Sequence, residues 1–181
     1  MKNSYTLIEI LVAASLFFIV MSSLTGFFLG AITSQRKSLA SQELIDNVSY
    51  ALEYMGRAIR MAKKDDINGI NCLSGNKVNF EITHGGQGVK FRNYKDECQE
   101  YFLETGVLKE SKNTVINNLT SSNLEVISFK IGSQSSWDQD DNEQARVTLF
   151  LEVKNKSQKP ELQPTIKVQT TISQRNLDVK Y

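Results

Sequence analysis

The chain has 181 residues, enough for one modest domain and an anchoring segment but too few for several domains. Its 21 basic and 20 acidic side chains nearly cancel, so no surplus of positive charge indicates a nucleic-acid-binding protein. Much of the hydrophobic content falls in the first 35 positions. The first element along the chain is therefore apolar, and the polar remainder must build its core from few residues.

An uncharged run extends from Ile10 to Gln35, with Glu9 at its head. As a helix of about 26 residues it would be roughly 39 Å long, more than the roughly 30 Å of a hydrocarbon core. A cleaved secretory signal has a shorter apolar core that follows a basic segment. A carboxylate in a membrane helix is costly and usually has a partner. The run therefore predicts a membrane-spanning helix in which Glu9 has a function, with a plain signal anchor as the alternative.

Two glycines lie inside this run, Gly26 and Gly30, in a Gly-x-x-x-Gly spacing. Such spacing lets two membrane helices approach closely, because neither glycine has a side chain to separate the backbones. Glycine is also common in membrane helices that have no such contact. The pair is a candidate helix-packing site, and the purely compositional explanation stays open.

The helical pattern continues beyond the uncharged run. Apolar residues recur at three- and four-residue spacing, which predicts one apolar stripe along a helix. The residues of this stripe are Leu44, Ile45, Val48, Ala51, Leu52, Met55, Ile59 and Ala62. We predict one helix from about Tyr5 to Lys63, apolar on every side in its first half. Its second half carries a single apolar face that the following domain must cover.

After Lys64 the apolar period changes from helical to alternating, which is typical of strands. The alternation predicts about seven strands with short turns, and such a series favours antiparallel sheet. The predicted strands lie at 78–82, 89–91, 100–104, 107–109, 127–131, 147–153 and 166–172. The predicted fold class is α+β, with a long N-terminal membrane-spanning helix packed on an antiparallel β-sheet domain. Residues 5–35 would form the membrane half of the helix, and 36–181 the globular domain.

The two cysteines, Cys72 and Cys98, are too far apart for a Cys-x-x-Cys redox or metal motif. Outside the cytoplasm they could close one disulfide loop worth roughly 3 kcal/mol, and two buried free thiols are the alternative. The single histidine, His84, lies in a glycine-rich turn that lacks the spacing of a phosphate loop. We interpret it as a solvated turn residue, and no catalytic set or cofactor site is predicted.

One acidic cluster follows Trp137. Its members are Asp138, Asp140, Asp141 and Glu143. Carboxylates at this density are weak candidates for a shared calcium ion, because calcium takes oxygen ligands. The spacing is not that of an EF-hand, since the required glycine and distant glutamate are missing. A plain acidic loop between two strands is the alternative, and the cluster does not establish a metal site.

The N-terminal residues resemble the processing site of a type IV prepilin. In that family a short polar leader ends at a small residue, and the aromatic residue after the cut carries a methylated amine before Thr-Leu-Ile-Glu. The segment Thr6–Glu9 matches this pattern residue by residue, whereas Ser4 stands in place of the usual glycine and Tyr5 in place of the usual phenylalanine. Beyond the membrane segment the chain resembles minor pilins and pseudopilins, with a helical stretch followed by a β-rich region.

The resemblance implies a structural, non-enzymatic protein. A leader of residues 1–4 would be cut after Ser4 by a prepilin peptidase, Tyr5 would be methylated, and Glu9 would act in assembly. The expected product is a single-pass inner-membrane protein with its globular domain outside the cytoplasm. It would assemble with other pilins or pseudopilins into a type IV pilus, or into the pseudopilus of a type II secretion or DNA-uptake machine. The alternative is a membrane-tethered extracytoplasmic binding domain that never polymerises.

Overall fold

The structure, a computed structural model, describes residues 5–65, 72–74, 77–132, 134–139, 142–157 and 163–175. The predicted leader, residues 1–4, lies outside the described residues. The elements in chain order are α1 (Leu7–Arg60), β1 (Glu81–Thr83), a 3₁₀ turn (His84–Gly86), β2 (Gly88–Arg92), β3 (Cys98–Glu104), β4 (Val107–Lys112), β5 (Val115–Asn118), β6 (Leu124–Ile131), β7 (Arg146–Asn155) and β8 (Thr165–Ser173). The chain divides into two compact units, Met1–Leu39 and Ala40–Tyr181.

The first unit is the apolar part of α1. Its large side chains are exposed on all sides, with Leu7 at 82% and Phe27 at 79% of full exposure. Within the described residues, α1 is the one helix long and apolar enough to cross a membrane, judged by length and composition, and no residue of its apolar window is buried. A helix that is hydrophobic all round needs an apolar environment. A single N-terminal helix that could span a membrane is therefore established.

The second unit contains the rest of α1, which buries one face. Leu44, Val48, Ala51, Met55 and Ile59 are all buried, as the stripe predicted. Ile45 was placed in this stripe wrongly, since its side chain is 46% exposed. It follows Leu44 by one residue, and one residue turns a helix by about 100°, which carries Ile45 off the buried face.

The C-terminal end of α1 is held by the chain that follows β8. The backbone N–H of Arg175 donates to the carbonyl of Arg60 at 2.7 Å, and Nε2 of Gln174 donates to the carbonyl of Ala62 at 2.8 Å. The last carbonyls of a helix lack partners within the helix, so they are satisfied here by a distant part of the chain. The helix ends at Arg60, close to the predicted Lys63.

The strands form two antiparallel sheets in the second unit. The five-stranded sheet has the order β1-β2-β3-β4-β5, and the three-stranded sheet has the order β6-β7-β8. The α+β class is confirmed. The predicted strands at 100–104 and 107–109 pair as β3 and β4, which turn at Thr105 and Gly106. Both turn residues have positive φ, 51° and 74°, as a two-residue type I′ turn requires. Strand β5 was not predicted.

The core of the second unit lies between α1 and the sheets. Phe80, Phe91, Tyr101 and Trp137 are buried, and adjacent ring centroids in this group lie 5.6 to 6.0 Å apart. Such tilted aromatic packing buries large areas and accounts for much of the core.

Strand burial tests the predicted alternation. In β7 the residues Val147, Leu149, Leu151 and Val153 are all buried, as expected. In β6 the prediction is wrong at one position, because Ile127 is 46% exposed. The pairing of β6 with β7 shifts register between Val126 and Ser128. A bulge of this kind adds one residue and reverses the facing of the side chains beyond it.

A long apolar N-terminal helix, continued by a helical segment packed on antiparallel sheet, is a pilin-like architecture. The packed helical segment and both sheets belong to the second unit.

Candidate functional site

The head of α1 is fixed by Thr6 and Glu9. The backbone N–H and the hydroxyl of Thr6 each donate to Oε2 of Glu9 at 3.0 Å. In return, the backbone N–H of Glu9 donates to Oγ1 of Thr6 at 3.4 Å. This reciprocal pair is a capping box, which satisfies two amides that would otherwise lack partners at the start of a helix. Thr6 was not among the predicted site residues, although Thr-x-x-Glu is itself the signal for such a box.

The capping box gives Glu9 a local role within one chain. Its carboxylate is held against the backbone of Thr6, next to the exposed Tyr5. Ser4 lies outside the described residues. Cleavage after Ser4, methylation of Tyr5 and a role of Glu9 in assembly therefore stay predictions.

Three hydroxyls in the apolar run of α1 bond to the backbone of the same helix. The hydroxyls of Ser15, Ser22 and Thr25 each donate to the carbonyl four residues earlier, at 2.7 to 2.9 Å. Bonds of this kind let small polar residues lie on an apolar helix without exposing an unpaired hydroxyl. A Cβ added to Gly26 or Gly30 would meet nothing within 4 Å in this chain. Their predicted role in helix packing needs a second helix and stays a prediction.

The two cysteines are joined. Cys72 and Cys98 form a disulfide with their Cα atoms 5.3 Å apart, a usual separation for such a bond. The bond ties the segment before β1 to the first residue of β3. The predicted pairing therefore agrees with the structure.

His84 has local contacts in the second unit. Its ring stacks on Phe102 with centroids 4.4 Å apart, and Nδ1 lies 3.1 Å from a carboxylate oxygen of Glu100. It occupies the turn between β1 and β2, where its φ is 51°. These contacts are those of a turn residue that rests on the neighbouring strand.

The acidic cluster is described only in part. Asp138 and Glu143 are exposed, while Asp140 and Asp141 lie outside the described residues. Among the residues that the structure describes, no group of three or more His, Cys, Asp or Glu side chains could hold a metal ion. Trp137 fixes the start of the segment, since its ring is buried and its Nε1 donates to the carbonyl of Arg146 at 2.7 Å.

A buried polar network lies between α1 and the five-stranded sheet. Nε2 of Gln99 donates to the hydroxyl of Tyr101 at 2.6 Å and to Oε1 of Glu110 at 2.7 Å. The hydroxyl of Tyr54 donates to the other carboxylate oxygen of Glu110 at 3.1 Å. The ammonium of Lys112 lies 3.0 Å from Glu110 and donates to Tyr54 at 2.7 Å. A buried carboxylate is tolerated because it is paired and hydrogen-bonded on both oxygens.

The network raises the pKa of two side chains, Tyr101 and Lys112. Burial, and then the negative charge of Glu110, raises the pKa of the Tyr101 phenol well above its ordinary value. Burial alone would lower the pKa of the Lys112 ammonium, but its bonds to Tyr54 and Glu110 outweigh that effect and raise it. Because both pKa values are raised, each side chain stays protonated to a higher pH than it otherwise would. No sequence pattern predicts this network, because its polar members lie on three separate elements, α1, β3 and β4.

A groove opens beside this network, with a volume of about 340 Å³. One wall is the α1 segment with Tyr54, Arg57, Ala58 and Met61, and the other is formed by the turn between β2 and β3 with the ends of β3 and β4. Three cationic side chains line it, Arg57, Lys95 and Lys112, together with the carboxylate of Glu97. Arg57 is paired with Glu53 and Lys112 with Glu110, so the charges around the groove are largely balanced.

Comparisons of the chain with family models, with curated proteins and with solved structures found no match.

Proposed function

We propose that this chain is a minor pilin or pseudopilin, a structural subunit of a type IV pilus or of a type II secretion or DNA-uptake pseudopilus. The observation that carries this proposal is the contrast within α1. The helix is apolar and largely exposed along its uncharged run from Ile10 to Gln35, while the segment from residue 40 onward belongs to a packed α+β unit. A helix that is apolar all round is suited first to lipid and then to a bundle of similar helices.

The processing step follows from the resemblance at Ser4, Tyr5 and Thr6–Glu9. A prepilin peptidase would cut after Ser4, which leaves the amine of Tyr5 beside the capped start of α1. The disulfide between Cys72 and Cys98 supports a globular unit outside the cytoplasm, because such bonds persist in oxidising compartments. A membrane-tethered binding domain, the alternative, would keep its leader. The mass of the protein recovered from membranes separates the two, since peptidase-dependent loss of four residues is expected only for the subunit.

Glu9 would act in assembly through its charge. In an apolar bundle a carboxylate is costly, and the cost falls when the amine of a neighbouring Tyr5 approaches it. Assembly would therefore favour the one axial register between neighbouring helices that brings Glu9 next to Tyr5. The capping box alone offers a different explanation, in which Glu9 only stabilises the start of the helix.

Glu9→Gln separates these two explanations. Glutamine can also close a capping box, so this substitution removes the charge and keeps the cap. We expect Glu9→Gln to insert into the membrane and to lose its leader normally, yet to be missing from sheared filaments and from crosslinks to partner pilins. Immunoblots of the membrane and filament fractions measure both properties.

Thr6→Val is the matched control, because it removes the capping hydroxyl and leaves the carboxylate of Glu9. We expect this variant to be incorporated at a level close to the parent, since loss of one cap costs only about 1 kcal/mol. Normal incorporation of Glu9→Gln would contradict the assembly role. Loss of Thr6→Val from filaments, together with normal incorporation of Glu9→Gln, would show that assembly needs the cap and not the charge.

A further inference from the structure

Two cationic side chains, Arg36 and Lys37, end the uncharged run of α1. Both follow Gln35 directly and both are exposed. Between Glu9 and Glu43 they are the only charged side chains of the chain. Within the described residues neither cation is in an ion pair, and Oε1 of Glu43 accepts instead from Nδ2 of Asn123 at 3.3 Å. This end of the run therefore carries an uncompensated positive charge.

The spacing of charges along α1 matches the thickness of a lipid bilayer. From Glu9 to Arg36 the helix advances by about 40 Å at 1.5 Å per residue. The hydrocarbon core of a bilayer is about 30 Å thick, and the bilayer with its headgroups measures about 40–45 Å. With Glu9 in the headgroup layer of one leaflet, Arg36 and Lys37 lie in the headgroup layer of the other. They then lie beside lipid phosphates rather than in hydrocarbon or in bulk water.

The two ends of the run also differ in the groups that can hold them at a membrane interface. Tyr5, at the first end, is 79% exposed, and tyrosine rings are enriched at such interfaces. No Tyr or Trp occurs between Tyr5 and Tyr50, so the second end has no aromatic anchor. Long cationic side chains can take that role, because their apolar stems lie along hydrocarbon while their charged heads reach the headgroups. At the second end this leaves Arg36 and Lys37 as the interfacial groups.

We propose that Arg36 and Lys37 form a binding site for the phosphate groups of anionic lipids, in the leaflet opposite Glu9. The planar guanidinium of Arg36 can donate two parallel hydrogen bonds to one phosphate, and Lys37 adds a compact point charge. The two side chains leave the helix about 100° apart, so they can contact different lipids. The phosphate of a zwitterionic lipid is neutralised by the ammonium of the same headgroup. The uncompensated pair therefore favours lipids of net negative charge.

The site would also fix the depth and rotation of α1 in the membrane, since interfacial cations are among the groups that set them. This inference needs only that α1 spans a membrane. It goes beyond the proposed function, because it holds equally for a filament subunit and for a tethered binding domain.

Native mass spectrometry of the full chain in a non-ionic detergent tests the site. Phosphatidylglycerol and phosphatidylcholine are supplied in equal amounts, and the lipids retained by the protein are counted. We expect the parent to retain phosphatidylglycerol in preference, and the preference to fall as salt rises. Each cation near an anionic headgroup contributes roughly fivefold, so Arg36→Gln combined with Lys37→Gln should weaken phosphatidylglycerol binding by roughly 25-fold. Equal retention of the two lipids by the parent would overturn the proposal.

Arg57→Gln combined with Arg60→Gln is the matched control. Both arginines are exposed cations of the same helix, and they lie beyond the membrane-spanning part. This variant loses the same charge and should retain phosphatidylglycerol like the parent. An equal loss in both double variants would show that net charge, rather than position, sets the preference, and would contradict the site. A protease-resistant globular fragment of unchanged size should confirm that each variant is folded.

Inorganic phosphate separates a lipid site from a site for free anions. Compared with chloride at the same ionic strength, it should not displace phosphatidylglycerol, because the acyl chains keep the lipid headgroup next to the helix at high effective concentration. Displacement would show that the pair binds free phosphate and would overturn the assignment to lipid. Arg36→Lys keeps the charge and should retain most of the preference, whereas a loss as large as that of the double variant would contradict a charge-based site.

Discussion

The two portions of α1 are both helical, but one exposes its apolar side chains and the other buries them on one face. Along its uncharged run, from Ile10 to Gln35, the helix exposes apolar side chains in every direction, with Ile19 at 66% exposure. From residue 40 onward, the same kind of helix buries one narrow face, on which Met55 and Ile59 are fully buried. The difference lies in periodicity rather than in helix propensity. An apolar stripe that repeats every 3.6 residues specifies a protein core, whereas an apolar surface without a stripe specifies an apolar solvent.

This difference predicts that a charge has opposite consequences in the two portions. The largest effect should come from Met55→Asp, which places an unpaired carboxylate in the core of the second unit. Burial of an unpaired charge, together with the cavity, should cost more than about 4 kcal/mol and unfold that unit. Limited proteolysis of the full chain in micelles would measure it, as loss of the protease-resistant globular fragment.

Substitutions at two other residues of α1, Leu52 and Ile45, provide graded controls. Leu52 is only partly buried at the edge of the core, so Leu52→Asp should destabilise the second unit less than Met55→Asp does. Ile45 is exposed, and Ile45→Asp should change its stability by less than about 0.5 kcal/mol. If Ile45→Asp is as damaging as Met55→Asp, the apolar stripe does not define the buried face.

A charge in the first portion should spare the globular unit and affect the membrane instead. Ile19→Lys places a cation near the middle of the uncharged run, where insertion scales give a cost of about 2.5–3.5 kcal/mol. We expect a smaller membrane-bound fraction after carbonate extraction and an unchanged protease-resistant fragment. Ile45→Lys, outside the apolar run, is the control and should remain membrane-bound. Equal retention of both variants would show that the apolar run does not anchor the chain.

Sequence reasoning recovered the features that depend on long, regular patterns. The helix, its buried stripe and the alternation of β7 each repeat over many residues, so single exceptions do not obscure them. It failed where one residue changes the geometry. Ile127 faces outward because of the irregular pairing at Val126 and Ser128, and a bulge leaves no mark in an apolar pattern.

Other features were missed because their signal is tertiary. All four residues of β5 (Val115–Asn118) are exposed, so the strand shows no alternation, and its pairing with β4 alone defines it. Glu110 is buried only because Gln99, Tyr54 and Lys112 surround it, and these come from separate elements. The capping role of Thr6, by contrast, can be predicted from the Thr-x-x-Glu spacing at the start of the helix.

The smallest effect concerns the polar network, which has no counterpart in the apolar portion of α1. The pKa of the Tyr101 phenol is raised by its burial and by Glu110, while in the unfolded chain it returns to about 10. Above pH 10 the unfolded chain therefore releases a proton that the folded chain retains. The stability that Tyr101 contributes is fully present below pH 10. It should fall by about 1.4 kcal/mol for each further pH unit as the pH rises.

Lys112 acts in the same direction, since its pKa is also raised and its contribution is lost at alkaline pH. Tyr101→Phe removes the phenol, so melting temperatures of the full chain between pH 8 and about 11 should fall less steeply than those of the parent. The variant also loses the bond from Gln99, which lowers stability by about 1 kcal/mol at every pH and leaves the slope unaffected. Tyr94→Phe is the control at an exposed tyrosine and should keep the slope of the parent. Parallel alkaline slopes for the parent and Tyr101→Phe would show that this phenol titrates as freely in the folded chain as in the unfolded one.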